Sequence, residues 1–168
     1  MVVVMKNVAP EMREQKYHMR KVLNPGKGYP CVFRQHLAQS HCNLLHGYDL
    51  VFEIEMSCYE HDRTMEGWVF DFGEFKELKL FLDSMFDHTC LVSQSDPEIE
   101  VMRELHQRKL IDLREVQDTG CEAFAFMVWA WMSDYVRVFH QTRKSLKVTR
   151  VTVRENDSNS ASYTPAPH

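Results

Sequence analysis

The segment that most constrains the fold is the run CEAFAFMVWAWMSDYVRVF at 121–139, which is apolar on almost every side of a helix. A helix of that kind cannot lie on a surface and must be packed deeply. The last apolar segment, LKVTRVTVRE at 146–155, alternates with the two-residue period of a strand. The chain is therefore expected to build one core in which this helix covers a sheet.

Strand patterns also occur upstream of that helix. Residues 31–41 and 48–57 alternate in strand fashion, and the few residues between them predict a tight hairpin. The sequence GWVFDF at 67–72 predicts a third, shorter strand. The Pro and Gly residues of LNPGKGYP predict a turn just before the first of these strands.

Two start signals predict helices ahead of 121–139. Asp71 and Glu74 have the spacing of a capping box, and apolar residues then fall on one helical face as far as 86–88. The sequence SDPE at 95–98 predicts the start of a short second helix. The order β-β-β-α-α-α-β predicts an α+β domain with an antiparallel sheet and helices packed on one face.

Length and composition indicate a single domain. The chain has 168 residues, and 44% of them are hydrophobic, which is enough to fill one core without disulfide bonds. Residues 1–28 are polar and mixed, and we expect them to form an N-terminal arm or a short helix. Residues 29–163 are expected to form the domain, followed by a loose tail at 164–168.

Three features limit the cellular compartment and the classes of binding partner to be expected: cysteine usage, the length of apolar runs, and net charge. Five cysteines are an odd number without a C-x-x-C pair, which favours reduced thiols. The opening MVVVMKNVAP lacks a signal-peptide core, and no run reaches the ~18–20 apolar residues of a membrane span. The net charge of -4 offers no basic field for nucleic acid. We therefore expect a soluble, cytoplasmic protein that binds neither nucleic acid nor membrane.

Reactive side chains concentrate in SHCNLLHGY at 40–48. His41 and His46 flank a short turn and can converge on one metal ion, and Cys42 beside them can serve as a base or nucleophile. The same spacing also suits two surface histidines and a half-buried thiol, because such patterns arise by chance. Both interpretations stay open from the spacing alone.

Two further places carry candidate functional side chains. Asp87 beside His88 can orient the imidazole and set its tautomer, although the pair also suits an exposed helix end. Glu155 shares strand parity with Val151 and Val153 and so points where the apolar residues point. A carboxylate there needs a partner, either a ligand edge with two N–H donors or an Arg or Lys elsewhere in the fold.

Taken together, these segments resemble the 6-pyruvoyltetrahydropterin synthase and 6-carboxytetrahydropterin synthase family from about Tyr29 to Tyr163. CNLLHGY resembles the family's Cys-x-x-x-His-Gly-His signature, GWVFDFGEFKEL its strand-to-helix passage, and FDHTCL its Asp-His motif. GCEAFA and VRENDSNSASY resemble its two pterin-anchoring segments, which here carry Glu122 and Glu155.

The resemblance implies the tunnelling fold, in which protomers join sheet edges into trimers that stack as hexamers. It also implies a zinc-dependent lyase that acts on 7,8-dihydroneopterin triphosphate. Cys42 would be the general base, Asp87 and His88 the proton relay, and Glu155 the pterin anchor, assisted by Glu122. The product would be 6-carboxy-5,6,7,8-tetrahydropterin, on the route to queuosine and 7-deazaguanines, or 6-pyruvoyltetrahydropterin; no residue discriminates between them.

The sequence departs from the family at the metal ligands. His46-Gly47-Tyr48 stands where the family has His-Gly-His, so a phenol replaces one imidazole. His41 is the best match for the first ligand and His36 the alternative, and strand parity puts these two on opposite faces unless a bulge intervenes. One expectation is zinc on two histidines with Tyr48 or His36. The other is a non-catalytic pterin- or purine-binding protein with a degraded zinc site.

Overall fold

The computed structural model describes residues 15–166, which form seven strands and three helices. The strands are β1 (Lys16–Leu23), β2 (Tyr29–Phe33), β3 (His46–Tyr59), β4 (Thr89–Ser93), β5 (Leu113–Val116), β6 (Lys147–Arg154) and β7 (Ser160–Tyr163). The helices are α1 (Phe75–Phe86), α2 (Ile99–Gln107) and α3 (Cys121–Phe139). All strands join one sheet in the order β5-β4-β2-β3-β6-β7, and β1 pairs with β3 beyond the end of β2.

The long strand β3 organises the sheet. Its first part, 46–50, pairs with β2, and its second part, 52–59, pairs with β1. Strand β6 runs antiparallel along the other side of β3. The core-facing residues of β3 alternate as the sequence predicts and are fully buried: Leu50, Phe52, Ile54 and Met56.

Helix α3 is packed on one face, less deeply than its sequence predicts, because Phe126 and Phe139 are 48% and 68% exposed. Its buried residues are Cys121, Phe124, Ala125, Val128, Met132 and Val136. They share one core with α1 and with the inner faces of β3 and β6. The half-buried Trp129 also ties α3 to β6, because its Nε1 donates to the Val148 carbonyl at 3.0 Å. Within residues 15–166 no helix, α3 included, is long and apolar enough to cross a membrane.

The α+β class is confirmed, but the sheet differs from the expected one in two details. Strand β4 runs parallel to both β2 and β5, so the sheet is mixed rather than wholly antiparallel. Leu91 of β4 faces the main core, whereas Cys90 and Val92 face a second cluster with Met102 of α2. Helix α2 therefore covers the face opposite α1 and α3. A strand buried on both faces shows no alternation, which is why the sequence did not predict β4.

The N-terminal region also differs from its prediction. Residues 16–23, expected in an arm or short helix, form strand β1 and pair with β3 along their whole length. Charged residues such as Lys16, Arg20 and Lys21 hide the strand pattern because β1 is an edge strand with little of its surface buried. The remainder of the expected arm, 1–14, and the end of the expected tail, 167–168, lie outside the described residues.

The predicted strands at 31–41 and 67–72 are shorter or absent. Strand β2 ends at Phe33, and a loop at 34–45 replaces the tight hairpin. Residues 67–72 form no strand and lead into a 3-10 turn at Phe72–Glu74. The alternation in these segments therefore reflects irregular backbone with some buried side chains, which a sequence pattern cannot tell from a strand.

The predicted capping box is half formed. The Asp71 Oδ1 accepts from the Gly73 amide at 2.8 Å, so Asp71 caps the 3-10 turn that precedes α1. Glu74 instead pairs with His140 Nε2 at 2.8 Å, at the far end of α3. His140, which is distant in sequence, has therefore replaced the backbone N–H group that Glu74 would bond in a capping box. Helix α1 itself begins and ends where the sequence predicts.

Candidate active site

The loop between β2 and β3 carries Cys42. A 3-10 turn at His41–Asn43 presents it, and Ser40 caps this turn by accepting from the Cys42 amide at 3.4 Å. The Cys42 carbonyl accepts from the Gln35 amide at 2.9 Å. Cys42 is half-buried, whereas the other four cysteines are buried. It is therefore the thiol most open to a ligand.

The structure brings His41 and His46 together. Their ring centroids are 5.7 Å apart, with planes inclined by 68°. His46 Nδ1 lies 2.8 Å from the Leu44 carbonyl, and in the tautomer where Nδ1 donates this bond, Nε2 is free to bind a metal. Because a Zn–N bond is about 2.0 Å long, two imidazoles this close can share one ion.

His36, the alternative ligand, does not join them. Its Nε2 lies 3.5 Å from the Ser95 hydroxyl, on the segment before α2. Among residues 15–166 there is no group of three His, Cys, Asp or Glu side chains that could hold a metal ion. The remaining candidate is Tyr48, whose ring centroid lies 6.4 Å from that of His46. Within the described residues the loop thus brings together two imidazoles, and not the three-imidazole set that the resemblance implies.

Glu155 follows β6 directly and lies on the side that strand parity predicts. Val151 and Val153 on that side are fully buried, and Glu155 itself is half-buried. Its amide donates to the Asn159 carbonyl at 3.0 Å, which closes the turn into β7. Within the described part of the chain, Glu155 is in none of the ion pairs that the sheet forms, such as Arg154–Glu53. Its carboxylate is therefore available to a ligand.

Tyr48 lies between the Cys42 loop and Glu155. Its ring stacks on Phe33 with centroids 4.2 Å apart. Burial raises the pKa of the Tyr48 phenol, and the neighbouring Glu155 and Cys42 add to the rise. The Cys121 thiol lies beside the same carboxylate, and burial together with Glu155 raises the pKa of Cys121 to about 12. Sequence reasoning did not identify Cys121 as a site residue, although it opens the apolar helix next to a predicted anchor.

Asp87 and His88 form the predicted dyad. His88 Nδ1 lies 2.9 Å from Asp87 Oδ1, which favours the tautomer that leaves Nε2 as a proton acceptor. Asp87 ends α1, and His88 has a left-handed backbone conformation with φ 59°. The His88 amide donates to the Pro30 carbonyl at 2.7 Å, which fixes this turn against β2. Its side chain is 78% exposed, so the imidazole is open to a ligand or a second protomer.

Glu122, the second predicted anchor, is exposed in the first turn of α3. Gly120 before it has φ +115°, and a Cβ built there would lie 2.4 Å from Gln35 Nε2 and 3.7 Å from Glu122 Oε2. The amide of Gln35 therefore packs against Gly120, close to the Glu122 carboxylate. Gln35 could not be identified from the sequence, because it lies in a segment that alternates like a strand.

A cleft of about 800 Å³ lies among three of these groups, whereas Cys42, His41, His46, Asp87 and Glu122 are not among the described residues that line it. Tyr48, His88 and Glu155 line it, and its apolar wall consists of Met102, Leu105, Leu110 and Ile111. The described lining includes three carboxylates but no lysine or arginine. A concavity of about 740 Å³ at the far end of α3 contains none of the predicted site residues. Chemistry rather than size therefore identifies the first cleft as the candidate site.

Comparison with known proteins identifies a family and a fold. The sequence pattern of the 6-pyruvoyl tetrahydropterin synthase family matches residues 12–166. The chain is similar to the 6-carboxy-5,6,7,8-tetrahydropterin synthase of Rickettsia conorii, with 39% identity over 62 residues, 36% of this chain and 44% of that protein. Similarity to the Rickettsia bellii protein of the same name is 39% over 69 residues, 40% of this chain and 49% of that protein. The chain thus spans less than half the length of these relatives.

Two solved structures share the fold. An uncharacterized protein from Wolinella succinogenes superposes with a TM-score of 0.76 at 14% identity, covering 91% of this chain and 100% of that one. A catalytic-residue mutant of Plasmodium vivax 6-pyruvoyltetrahydropterin synthase gives 0.64 at 16% identity, covering 89% and 98%. At such identities these likenesses concern the fold alone. With the family pattern matched across residues 12–166, the chain belongs to the 6-pyruvoyl tetrahydropterin synthase family.

Proposed function

We propose that this chain is a lyase that acts on the side chain of a 7,8-dihydropterin. The observation that carries the proposal is the half-buried carboxylate of Glu155, which contacts the Cys121 thiol but is in no ion pair within the described residues, in a cleft that His88 also lines. A carboxylate can accept two parallel N–H donors, and the pterin ring has such a pair on its pyrimidine edge. The ring docks at Glu155, with its side chain directed toward Cys42 and His88.

The proposed substrate is 7,8-dihydroneopterin triphosphate, and the proposed product is 6-carboxy-5,6,7,8-tetrahydropterin. The names of the two Rickettsia relatives favour that product over 6-pyruvoyltetrahydropterin. Triphosphate leaves on either route, and acetaldehyde leaves in addition on the carboxy route. The carboxy product would place the chain in the supply of precursors for queuosine and other 7-deazaguanines.

Three residues of the chain would move the protons. Cys42 acts as general base on a C–H bond of the substrate side chain. His88, held by Asp87 through Nδ1, presents Nε2 to the cleft and returns protons during the rearrangement. Cys42 is suited to the first role because it is the half-buried thiol, next to Tyr48 at one wall of the site.

Zinc is the proposed cofactor. His41 and His46 would hold it, with the Tyr48 oxygen as the third protein ligand; the ring separations and the His46–Leu44 bond support this set. When bound, zinc supplies a Lewis acid that acidifies the C–H bonds beside the substrate hydroxyls.

The proposed assembly is a homo-oligomer, a trimer or a hexamer built from trimers. Strands β1 and β7 each pair on one side only and leave open edges that a second copy can cover. The charge of the cleft gives a second argument. Its described lining contains no lysine or arginine, so a bound triphosphate needs cations from outside it, and a neighbouring protomer can supply them.

One assay tests the proposal. The protein is incubated with zinc and 7,8-dihydroneopterin triphosphate, and the pterin product is identified by mass. A 6-carboxy or 6-pyruvoyl product supports the lyase. Tyr48 in place of an imidazole favours a second candidate, a non-catalytic pterin or purine binder, which would bind the pterin without converting it.

A further inference from the structure

Three segments meet at Arg34, the first residue after β2, and two of them carry candidate site residues. They are the Cys42 loop, the segment at 93–98 before α2, and the segment at 117–122 that starts α3. None of these segments pairs with another as strands do. The segments at 93–98 and 117–122 adjoin through the end of the β4–β5 pair, where Ser93 pairs with Val116, so the position of the Cys42 loop relative to them depends on the contacts of Arg34 and Gln35.

The central contact is an ion pair between Arg34 and Asp96. Arg34 Nε donates to Asp96 Oδ2 at 2.8 Å, and Nη2 donates to Oδ1 at 2.5 Å, which is the bidentate geometry. The side chains are 18% and 1% exposed. The hydrogen bonds from Arg34 hold the pKa of Asp96 below its usual value. Asp96 Oδ1 also accepts from the Glu98 amide at 2.9 Å, so the pair is fixed to the start of α2.

The remaining bonds of Arg34 and its neighbour reach the other two segments. Arg34 Nη1 donates to the Asn43 carbonyl at 3.2 Å, one residue from Cys42. The Gln35 amide donates to the Cys42 carbonyl at 2.9 Å. On the opposite side, the Thr119 hydroxyl donates to the Arg34 carbonyl at 2.6 Å. Arg34 thus links the thiol loop to the segment that leads into α3.

We infer that Arg34, held by Asp96, is a positioning residue that sets where Cys42 lies relative to the pterin end of the cleft. This inference rests on the proposed function for its catalytic consequence, but its structural part stands apart from it. The loop has twelve residues between β2 and β3 and only a three-residue 3-10 turn of its own. If the Arg34 guanidinium did not bond both Asp96 and the Asn43 carbonyl, none of the contacts described above would fix Asn43 against the start of α2.

The test compares Arg34→Lys and Arg34→Met with the wild-type protein. Lysine keeps a charge beside Asp96 but cannot make the bidentate pair and reach Asn43 together, so both variants should release the Cys42 loop. The control is Arg103→Met, which breaks another bidentate pair, with Glu115 at 2.8 and 2.7 Å, on the outer side of α2 and β5. Folding of each variant is checked by thermal unfolding.

Two readouts are independent of activity. Hydrogen exchange of the Gln35 amide, which is bonded to Cys42, should speed up at least about tenfold in both Arg34 variants and stay unchanged in Arg103→Met. Alkylation of Cys42 should change rate by a similar factor in the same two variants only. With the substrate, kcat should fall by roughly 10- to 100-fold, with KM within about threefold, because displacement of a base by about 1 Å costs that much.

The outcomes are distinct for the two proposals. If wild-type protein neither binds nor converts the pterin, the proposed function fails, and hydrogen exchange and alkylation still decide the positioning role. If a folded Arg34→Lys protein keeps wild-type exchange at Gln35 and a wild-type kcat, the positioning role is overturned. If kcat falls only in proportion to the folded fraction, Arg34 serves stability alone and the inference is also overturned.

Discussion

Phe33 and Tyr48 stack with their ring centroids 4.2 Å apart and their planes inclined by 19°. The contact is made across the β2–β3 pair, and Phe33 is buried, so the Tyr48 ring is held in place rather than free to rotate into solvent. Tyr48 follows His46 by two residues on β3, and on a strand such residues share one face. The residue at 48 therefore decides what the third group of the proposed metal site is.

Replacement of Tyr48 should change zinc affinity in opposite directions for two variants. Tyr48→His supplies a third imidazole and should tighten zinc binding by at least about tenfold. Tyr48→Phe keeps the stack on Phe33 but removes the oxygen, so it should bind zinc more weakly than the wild type. Competition with a chromogenic chelator measures both. Equal affinities for all three proteins would show that residue 48 is not a ligand.

Glu155→Gln should weaken pterin binding. An amide cannot accept both N–H donors of the pterin edge, and hydrogen bonds to a charged group contribute about 1.5–3 kcal/mol, so Kd should rise roughly 10- to 100-fold. Glu104→Gln, on the exposed side of α2 beside Arg108, is the control and should bind like the wild type. Quenching of pterin fluorescence gives both constants. An unchanged Kd for Glu155→Gln would place the pterin elsewhere.

Cys42 should be the first thiol to react with iodoacetamide. The other four are buried, and burial raises the pKa of Cys31 and of Cys121 to about 12, so few of those thiols are reactive at neutral pH. Mass mapping of the alkylated peptides measures the order. The four buried thiols serve as internal controls.

Cys42→Ala should abolish turnover and leave pterin binding within about threefold, because base and anchor act at opposite ends of the ligand. Loss of a general base costs roughly 10²- to 10⁴-fold in rate. Steady-state kinetics and a binding titration on the same preparation separate the two effects. Near-normal turnover would assign proton removal to His88 or another group.

Much of the fold could be predicted from the sequence because its strongest signals are local. Helix α3 is apolar on almost every side and β3 alternates as far as Met56, and both lie where their patterns predict. Strand β4 could not be predicted, because Cys90 and Leu91 face different clusters and the pattern becomes a continuous apolar run. The position of β1 depends on its pairing with β3, in which Tyr17 lies opposite Cys58, 41 residues further along the chain, and no local pattern reports such a pairing.

The candidate site was predicted in part for the same reason. Strand parity placed Glu155 correctly, and sequence adjacency placed the Asp87–His88 dyad. The role of Arg34 could not be predicted, because its partner Asp96 is far away in sequence and both are ordinary charged residues until the fold buries them. His36 was an alternative ligand only because the sequence does not tell on which side of the loop it lies.

Gly120→Ala should destabilise the protein more than alanine at two other glycines. Gly120 has φ +115° and ψ 162°, a backbone region essentially confined to glycine, so strain opposes alanine by about 1–3 kcal/mol; its Cβ would also lie 2.4 Å from Gln35 Nε2, which must move away. Gly26→Ala introduces strain without a clash, because φ is +78° and no atom lies within 4 Å. Gly47→Ala causes neither strain nor a clash, so its free energy of unfolding should stay within about 0.5 kcal/mol of the wild-type value. Urea unfolding ranks the three, and any other order would contradict this account of Gly120.

The Arg34–Asp96 pair should make stability depend on pH in the acid range. Arg34 lowers the pKa of Asp96 in the folded protein, so the folded state binds this proton less readily than the unfolded state does. The contribution is fully present above the unfolded-state pKa, about 3.9 for an aspartate, and is lost as the pH falls through the lower folded-state pKa. Asp96→Asn removes this titration, so the difference in unfolding free energy between wild type and variant should shrink as the pH falls from about 6 toward 2.5.

Urea unfolding at several pH values measures that difference, provided that both proteins remain folded at each pH. Asp134→Asn is the matched control, because Asp134 pairs with Arg137 at 2.9 Å but with both side chains more than 70% exposed. An exposed ion pair is screened by water and contributes little to stability. Removing it should therefore change the free energy of unfolding only slightly at every pH. A difference for Asp96→Asn that stays constant down to pH 2.5 would mean that Asp96 stabilises the loop through its shape and neutral hydrogen bonds. The charge on Arg34 would then have no part in holding Cys42 in place.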